Sequence, residues 1–312
     1  MPLSLAVLRY RPTMFQTIAT TFARLPPSLQ GAIWMTSSAV LFAGQAGIVR
    51  YMSKDFHFIE ISFFRALFGV IVMAPWLCSN GIAILRTPHT KMYAARGAFS
   101  TAAMYGWFGS LTLIPLADAT AISFTFPLFI ALAGVLILKE KAQATRWIAL
   151  AVGFAGTLIV IRPGFAEVNE GVFLVIGGGV CIAFSAMILK VVLRNDHPDK
   201  AAIYQSIYML PFALVGALFV WQWPTWEQWL WAFALGAAST TAQRLYSRAF
   251  ATGDVGSIAP FDFTRLPFAI AIGFVFFSQL PDVWTVLGGT VIFFSSIYAG
   301  RTESRRQRKD AA

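Results

Sequence analysis

Thr125-Phe-Pro-Leu-Phe-Ile-Ala-Leu-Ala-Gly134 and Thr264-Arg-Leu-Pro-Phe-Ala-Ile-Ala-Ile-Gly273 are two readings of one pattern. Each opens on Thr, carries a Pro within four residues, and runs through an apolar stretch to Gly. Each is followed by a short turn, a Trp (Trp147 or Trp284) and a Gly-rich apolar segment. Leu138-Lys-Glu140 closes the first copy where Phe277-Ser-Gln279 closes the second. The chain therefore reads as one unit written twice.

Working outward, a bilayer-crossing helix needs about 20 mainly apolar residues. Ten such runs are predicted, at 30–49, 59–78, 93–113, 119–138, 147–162, 171–191, 203–222, 229–250, 257–278 and 282–299. Five fall in each half, and an odd number inverts the second copy relative to the first. The expected fold class is an all-α integral membrane protein of two inverted five-helix repeats, residues 29–164 and 171–300. A leader at 1–28 and a basic tail at 301–312 complete it.

Composition agrees. Hydrophobic residues make up 57% of the 312 and charged residues 12%, where a soluble domain carries about 25% charged. The net charge of +10 does not imply nucleic acid, because the basic residues fall in short connections between apolar runs. With both termini placed inside, nineteen of the 24 Lys and Arg lie in inner segments. Three (Arg50, Lys54, Arg162) lie outside, and Arg65 and Arg265 lie within spans. This asymmetry predicts cytoplasmic termini. The leader contains Arg9, Arg11 and Arg24 and lacks a signal-peptide cleavage pattern. Cys78 and Cys181 lie in apolar runs and the three histidines in or near loops, so neither a disulfide framework nor a metal site is expected. No cofactor is expected, and the phosphate-binding G-x-x-x-x-G-K-[ST] pattern is absent. Inverted membrane repeats with little soluble mass are the build of secondary carriers.

Phe63-Phe64-Arg65-Ala66, Pro115-Leu116-Ala117-Asp118-Ala119, the run Pro127-Leu-Phe through Lys139-Glu140, Gly153-Phe-Ala-Gly156 with Arg162-Pro163-Gly164, and Ala259-Pro260-Phe261-Asp262-Phe263 together resemble the EamA-type drug/metabolite transporter superfamily. The likeness spans roughly residues 30–300. His57-Phe-Ile-Glu-Ile-Ser-Phe-Phe-Arg65 and the stretch Ala259–Asp282 resemble the branch of bacterial S-adenosylmethionine and riboflavin carriers. The resemblance implies ten helices, termini inside, and a central cavity lined by the first, third, fourth, sixth, eighth and ninth. Asp262 and Gln279 depart from the pattern, since relatives often carry Glu at both places.

Charges inside a membrane cost roughly 2.5–3.5 kcal/mol on insertion scales, so they face protein, water or substrate. Asp262 and Arg265 share a helix face, three residues apart. Asp262 is a candidate for substrate binding or proton coupling; the alternative is a structural ion pair with Arg265 or Arg65. Arg65 is a second candidate, against snorkelling or packing. Arg244 sits near the inside, where a topological role competes with anion attraction. Trp34 and Gln45, Tyr105 and Trp107, Ser123 and Thr125, Ser185, and Gln243 and Tyr246 are polar or aromatic candidates on the cavity helices. Aromatic rings can stack on planar ligands or attract cations; packing is the alternative for each. Gly177, Gly178 and Gly179 are hinge candidates, and Gly153, Gly156, Gly288 and Gly289 close-packing positions. Pro127, Pro211, Pro260 and Pro267 free backbone carbonyls that a cavity can use.

The leading expectation is a carrier for a small organic metabolite in the cell inner membrane, S-adenosylmethionine or riboflavin uptake being one form and export of amino acids or amines another. A membrane enzyme would need converging catalytic groups, which the scattered histidines do not supply. A non-transporting scaffold is the third class. Membrane lipid is the expected partner of the basic tail, Arg305, Arg306, Arg308 and Lys309. Nothing in the sequence specifies direction or an oligomer.

Overall fold

A computed structural model describes residues 25–80, 89–138, 144–162, 169–192, 198–252, 259–280 and 282–310. Most of the leader and the connections carrying Arg86, Lys139, Glu140, Lys141, Pro163, Gly164 and Arg194 lie outside them. The described residues form eleven α-helices and one 3₁₀ turn, with no strand. The helices are α1 (Pro27–Met52), α2 (Phe58–Asn80), α3 (Thr90–Leu113), α4 (Leu116–Ser123), α5 (Phe126–Leu138), α6 (Ala144–Ile161), α7 (Glu170–Val192), α8 (Pro198–Ala217), α9 (Trp226–Thr252), α10 (Arg265–Phe277) and α11 (Val283–Asp310). The 3₁₀ turn, Ala259–Thr264, runs directly into α10. Among the described residues, Leu29–Met52, Phe58–Pro75, Leu116–Ile137 and Glu170–Leu189 are long and apolar enough to cross a membrane.

Three expectations need correction. The runs at 119–138 and 257–278 are not single helices; each is broken near its middle. Pro127 has no N–H to offer the carbonyl of Ser123, and Pro267 none for that of Phe263. Each helix restarts with its proline in the first turn, where no intrahelical donor is required. The run at 203–222 ends early, at Ala217, and a turn at 218–220 leads into irregular backbone from Trp221 to Thr225. The backbone of the basic segment from Arg301 continues α11 to Asp310.

The packing repeats as the sequence does. α3 lies along α7 as α9 lies along α1, α5 lies on α7 as α10 lies on α1, and α6 pairs with α11 across the middle. Small residues permit these approaches. A Cβ on Gly106 would stand 2.5 Å from the Leu174 carbonyl and 2.9 Å from Gly178 Cα. One on Gly156 would stand 3.0 Å from the Gly288 carbonyl. The core is a single large cluster that includes Val49, Ile61, Phe64, Phe108, Leu111, Leu116 and Leu235. Leu136, Phe154, Phe173, Val215 and Phe276 face outward and are exposed, as lipid-facing side chains are.

Candidate functional site

The two breaks meet. Phe124 and Phe263 immediately precede the aligned Thr125 and Thr264, and their rings lie 4.5 Å apart. The threonines make the same bond. Thr125 Oγ1 donates to the Ile122 carbonyl at 2.7 Å, and Thr264 Oγ1 to the Phe261 carbonyl at 2.7 Å. Ser123 Oγ adds a 2.7 Å bond to the Thr120 carbonyl. Hydroxyls thus satisfy carbonyls at the ends of the interrupted turns.

Only one copy carries charge at the joint. Aligning the threonines places Ser123 opposite Asp262 and Phe126 opposite Arg265. Arg265 Nη2 donates to Asp262 Oδ2 at 2.7 Å, with both side chains about one-fifth exposed. The guanidinium stands 5.4 Å from the Phe42 ring centre on α1 and 5.8 Å from that of Phe124. Tyr246 on α9 meets Phe42 edge-on at 6.4 Å and packs with Trp34 against Met35 and Ala249. Arg248 stands 5.7 Å from the Trp34 ring. The pair is single-toothed: Asp262 Oδ1 and Arg265 Nε are buried without a partner, and so is Gln45 Oε1 on α1.

Of the residues expected to contribute, the structure gathers Asp262, Arg265, Trp34, Tyr246 and Thr125 into the neighbourhood of the joint. Others go elsewhere. Tyr105 lies between α2 and α8, its hydroxyl 3.4 Å from the Phe212 and Ala213 carbonyls. Trp107 packs edge-on against Phe126 at 6.4 Å. Ser185 bonds Ser100 at 2.8 Å within a network that includes Gln205 and Arg96. Gln243 and Arg244 are exposed on α9. Arg65 is not a partner of Asp262; its Nη1 reaches Met104 Sδ at 3.1 Å and its Nε is buried without a partner. α7 runs unbroken through Gly177, Gly178 and Gly179. Gly178 meets α3 and Gly179 the rings of Phe126 and Phe129, while Gly177 faces open space.

The structure adds contacts that the sequence did not pair. Toward the other end of α10, Gln279 Oε1 accepts the Leu116 N–H at 3.1 Å, tying α10 to the start of α4. Asp118 accepts from the Thr285 hydroxyl, and Arg162 pairs with Asp282. Pro115, Asp118, Gly273, Gln279 and Asp282 are among the lining of a cavity of about 110 Å³ there. Arg50 Nη1 donates to the Leu111 and Ile114 carbonyls at 2.8 and 2.6 Å, closing the end of α3. No signal within a single segment marks these contacts, since each joins residues distant in sequence.

Comparison with known proteins agrees with this architecture. The EamA-like transporter family matches residues 29–162 and again 169–300. A riboflavin transporter of Vibrio cholerae is 27% identical over 287 residues, covering 90% of this chain and 96% of that protein. An S-adenosylmethionine uptake transporter of Rickettsia prowazekii is 26% identical over 277 residues, covering 89% and 94%. A pseudopaline exporter of Pseudomonas aeruginosa is 25% identical over 280 residues, covering 88% and 96%. One solved crystal structure shares the fold at a TM-score of 0.63 and 16% identity, covering 89% of this chain and 98% of its own. With both halves matched and relatives covered nearly end to end, the chain is a multi-pass membrane protein that belongs to the EamA-like transporter family.

Proposed function

We propose that this protein is a secondary carrier of the inner membrane that moves a small planar metabolite by alternating access, with S-adenosylmethionine or riboflavin uptake as the leading form. The observation that carries the reading is the joint, where two interrupted helices meet through Phe124 and Phe263 beside the half-satisfied Asp262–Arg265 pair. Interrupted helices at a repeat interface are where carriers bind their cargo. Ten spans, with the leader and the basic C-terminal segment inside, complete the topology. Asp262 and Arg265 serve as hydrogen-bonding anchors, while Phe42, Tyr246 and Trp34 supply aromatic surface. Rocking of one repeat against the other about the joint exposes this site to each side in turn.

Likeness to the Rickettsia S-adenosylmethionine uptake transporter supports uptake, and likeness to the Vibrio riboflavin transporter supports riboflavin as a cargo. Likeness to the pseudopaline exporter supports a second reading, export of a related metabolite by the same cycle.

The test is counterflow. Purified protein is placed in liposomes preloaded with unlabelled S-adenosylmethionine, riboflavin, an aromatic amino acid or a polyamine, and the labelled solute is added outside in trace amount. Transient accumulation with S-adenosylmethionine or riboflavin is expected. Accumulation with an amino acid or polyamine instead would replace the leading cargo by the second reading. No accumulation with any, from folded and inserted protein, would overturn exchange of this class of solute.

A further inference from the structure

Glu60 is a buried acid with nothing to neutralise it. It lies in the first turn of α2 and is 0% exposed. Its two carboxylate oxygens share one donor, the backbone N–H of Gln222, at 3.2 and 3.3 Å. Among the described residues it has no basic partner. The charged and titratable groups on the elements around it make other contacts or are exposed. Lys54 stands 5.5 Å from the Tyr51 ring, and Asp55 accepts from Gln228 Nε2 at 3.0 Å. The His57 ring lies 4.3 Å from that of Phe58, and Glu227 is exposed. Arg50 closes α3, Arg65 reaches Met104 Sδ, and the Tyr105 hydroxyl faces α8. An ionisable side chain held in a membrane-spanning segment without a counter-ion is costly, and such groups mark proton or ion pathways.

Its one bond has a structural consequence. Gln222 lies in the irregular connection between α8 and α9, and aromatic contacts link that connection and the start of α9 to the helix that carries Glu60. Trp221 packs at 5.6 Å on Phe63 and 5.9 Å on Phe64, and Trp229 packs at 5.4 Å on Phe64. Beyond them Phe219, Trp223 and Trp226 are exposed. The carboxylate is thus the only polar tie, among the described residues, between α2 and this connection.

We propose that Glu60 is a proton-binding site, and that its occupancy sets how firmly the α8–α9 connection is held to α2. One proton from the adjacent solution adds to one carboxylate oxygen. The other oxygen remains as a neutral carbonyl acceptor for Gln222 N–H, and a neutral acceptor holds an N–H more weakly than an ionised one. The connection loosens when the proton binds and tightens when it leaves. If the protein is the carrier proposed above, Glu60 supplies its proton coupling; the binding site itself does not depend on that reading.

Hydrogen exchange resolved by mass spectrometry, on full-length protein in nanodiscs across pH 5 to 8, tests this without a substrate. After correction for intrinsic exchange, the peptide spanning 218–225 is expected to exchange faster at low pH in wild type. The expected factor is roughly tenfold, that of a hydrogen bond weakened by about 1.4 kcal/mol. Glu60→Gln keeps a carbonyl acceptor and removes titration, so its exchange should be fast and flat with pH. The same pH profile in Glu60→Gln as in wild type would overturn the proposal. Should Glu60→Gln fail to insert, Glu60→Asp takes its place: the shorter side chain falls short of Gln222 N–H, and exchange should be fast at every pH. Wild-type protection and pH dependence in Glu60→Asp would overturn it equally. Counterflow at the same pH values reads the carrier separately. A flat counterflow profile with titrating exchange removes the coupling role and leaves the proton site. Absence of counterflow removes the carrier reading alone.

Discussion

Removing the charge of Asp262 and of Arg265, singly and together, separates what the pair does for the fold from what it does for cargo. One 2.7 Å bond joins them, with each side chain about one-fifth exposed. Two unit charges about 4 Å apart interact by about 4 kcal/mol at an effective dielectric of about 20. Desolvation offsets a large part, leaving an expected coupling of about 1–3 kcal/mol, the span seen for contacting charged residues. Asp262→Asn leaves Arg265 against the rings of Phe42 and Phe124, where cation–π attraction of about 0.5–2 kcal/mol softens the loss. Its cost should therefore be about 2–3 kcal/mol, at or below the lower end of that for breaking a fully buried pair. Arg265→Gln leaves the carboxylate with no such support and should cost somewhat more. SDS titration from mixed micelles gives the three unfolding free energies, and the double variant should be destabilised by less than the sum of the singles, the difference being the coupling energy. A coupling below about 0.5 kcal/mol, the level at which distant sites add, would refute the electrostatic reasoning. Counterflow then decides the second role. A double variant that is folded and still exchanges cargo at the wild-type rate would remove the pair from the binding site.

Other outcomes follow from the packing. Gly106→Ala should destabilise by about 1–3 kcal/mol, because its Cβ would press on the Leu174 carbonyl and Gly178. Gly177→Ala meets nothing within 4 Å and should stabilise α7 by about 0.5–1 kcal/mol with unchanged counterflow. Slower counterflow in that more stable variant would assign Gly177 as a hinge. Gln279→Leu orphans the Leu116 N–H and should cost about 1–3 kcal/mol, whereas Gln279→Glu keeps an acceptor and should cost less. Thermal unfolding in detergent ranks this pair of variants.

Much of this fold is legible along the chain because the bilayer demands apolar runs and two halves supply two independent readings. The Thr–Pro–Gly pattern revealed the repeat but not the interruptions within it, which hydropathy read as two single helices: proline breaks the hydrogen-bond ladder without lowering apolarity. The same blindness extended the seventh run to residue 222. Leu218, Phe219, Val220 and Trp221 are apolar enough to prolong a helix, yet Phe219 lies exposed in a turn. At the site, the i,i+3 spacing correctly joined Asp262 to Arg265. Which rings surround them is a tertiary fact, since Phe42 comes from α1, Phe124 from the break between α4 and α5, and Tyr246 from α9. Ser185 and Tyr105 were plausible by type, but their hydroxyls serve neighbouring helices. Glu60 was hidden by its place at a helix start near a predicted loop, where a carboxylate usually meets water. Only the Trp-rich connection folded over it reveals its burial.

The charge asymmetry of the joint has an electrical consequence. Asp262 and Arg265 sit on one half only, but they sum to zero and are bonded to each other. A joint that rocks with this pair intact carries no gating charge, so the membrane potential does no work on it. Neutralising either partner alone would place one elementary charge on the moving part. Carried across the full field, that charge would add about 2.3 kcal/mol per 100 mV to the balance between the two facing states. Paired as they are, these two residues themselves add no voltage dependence to any motion of the joint.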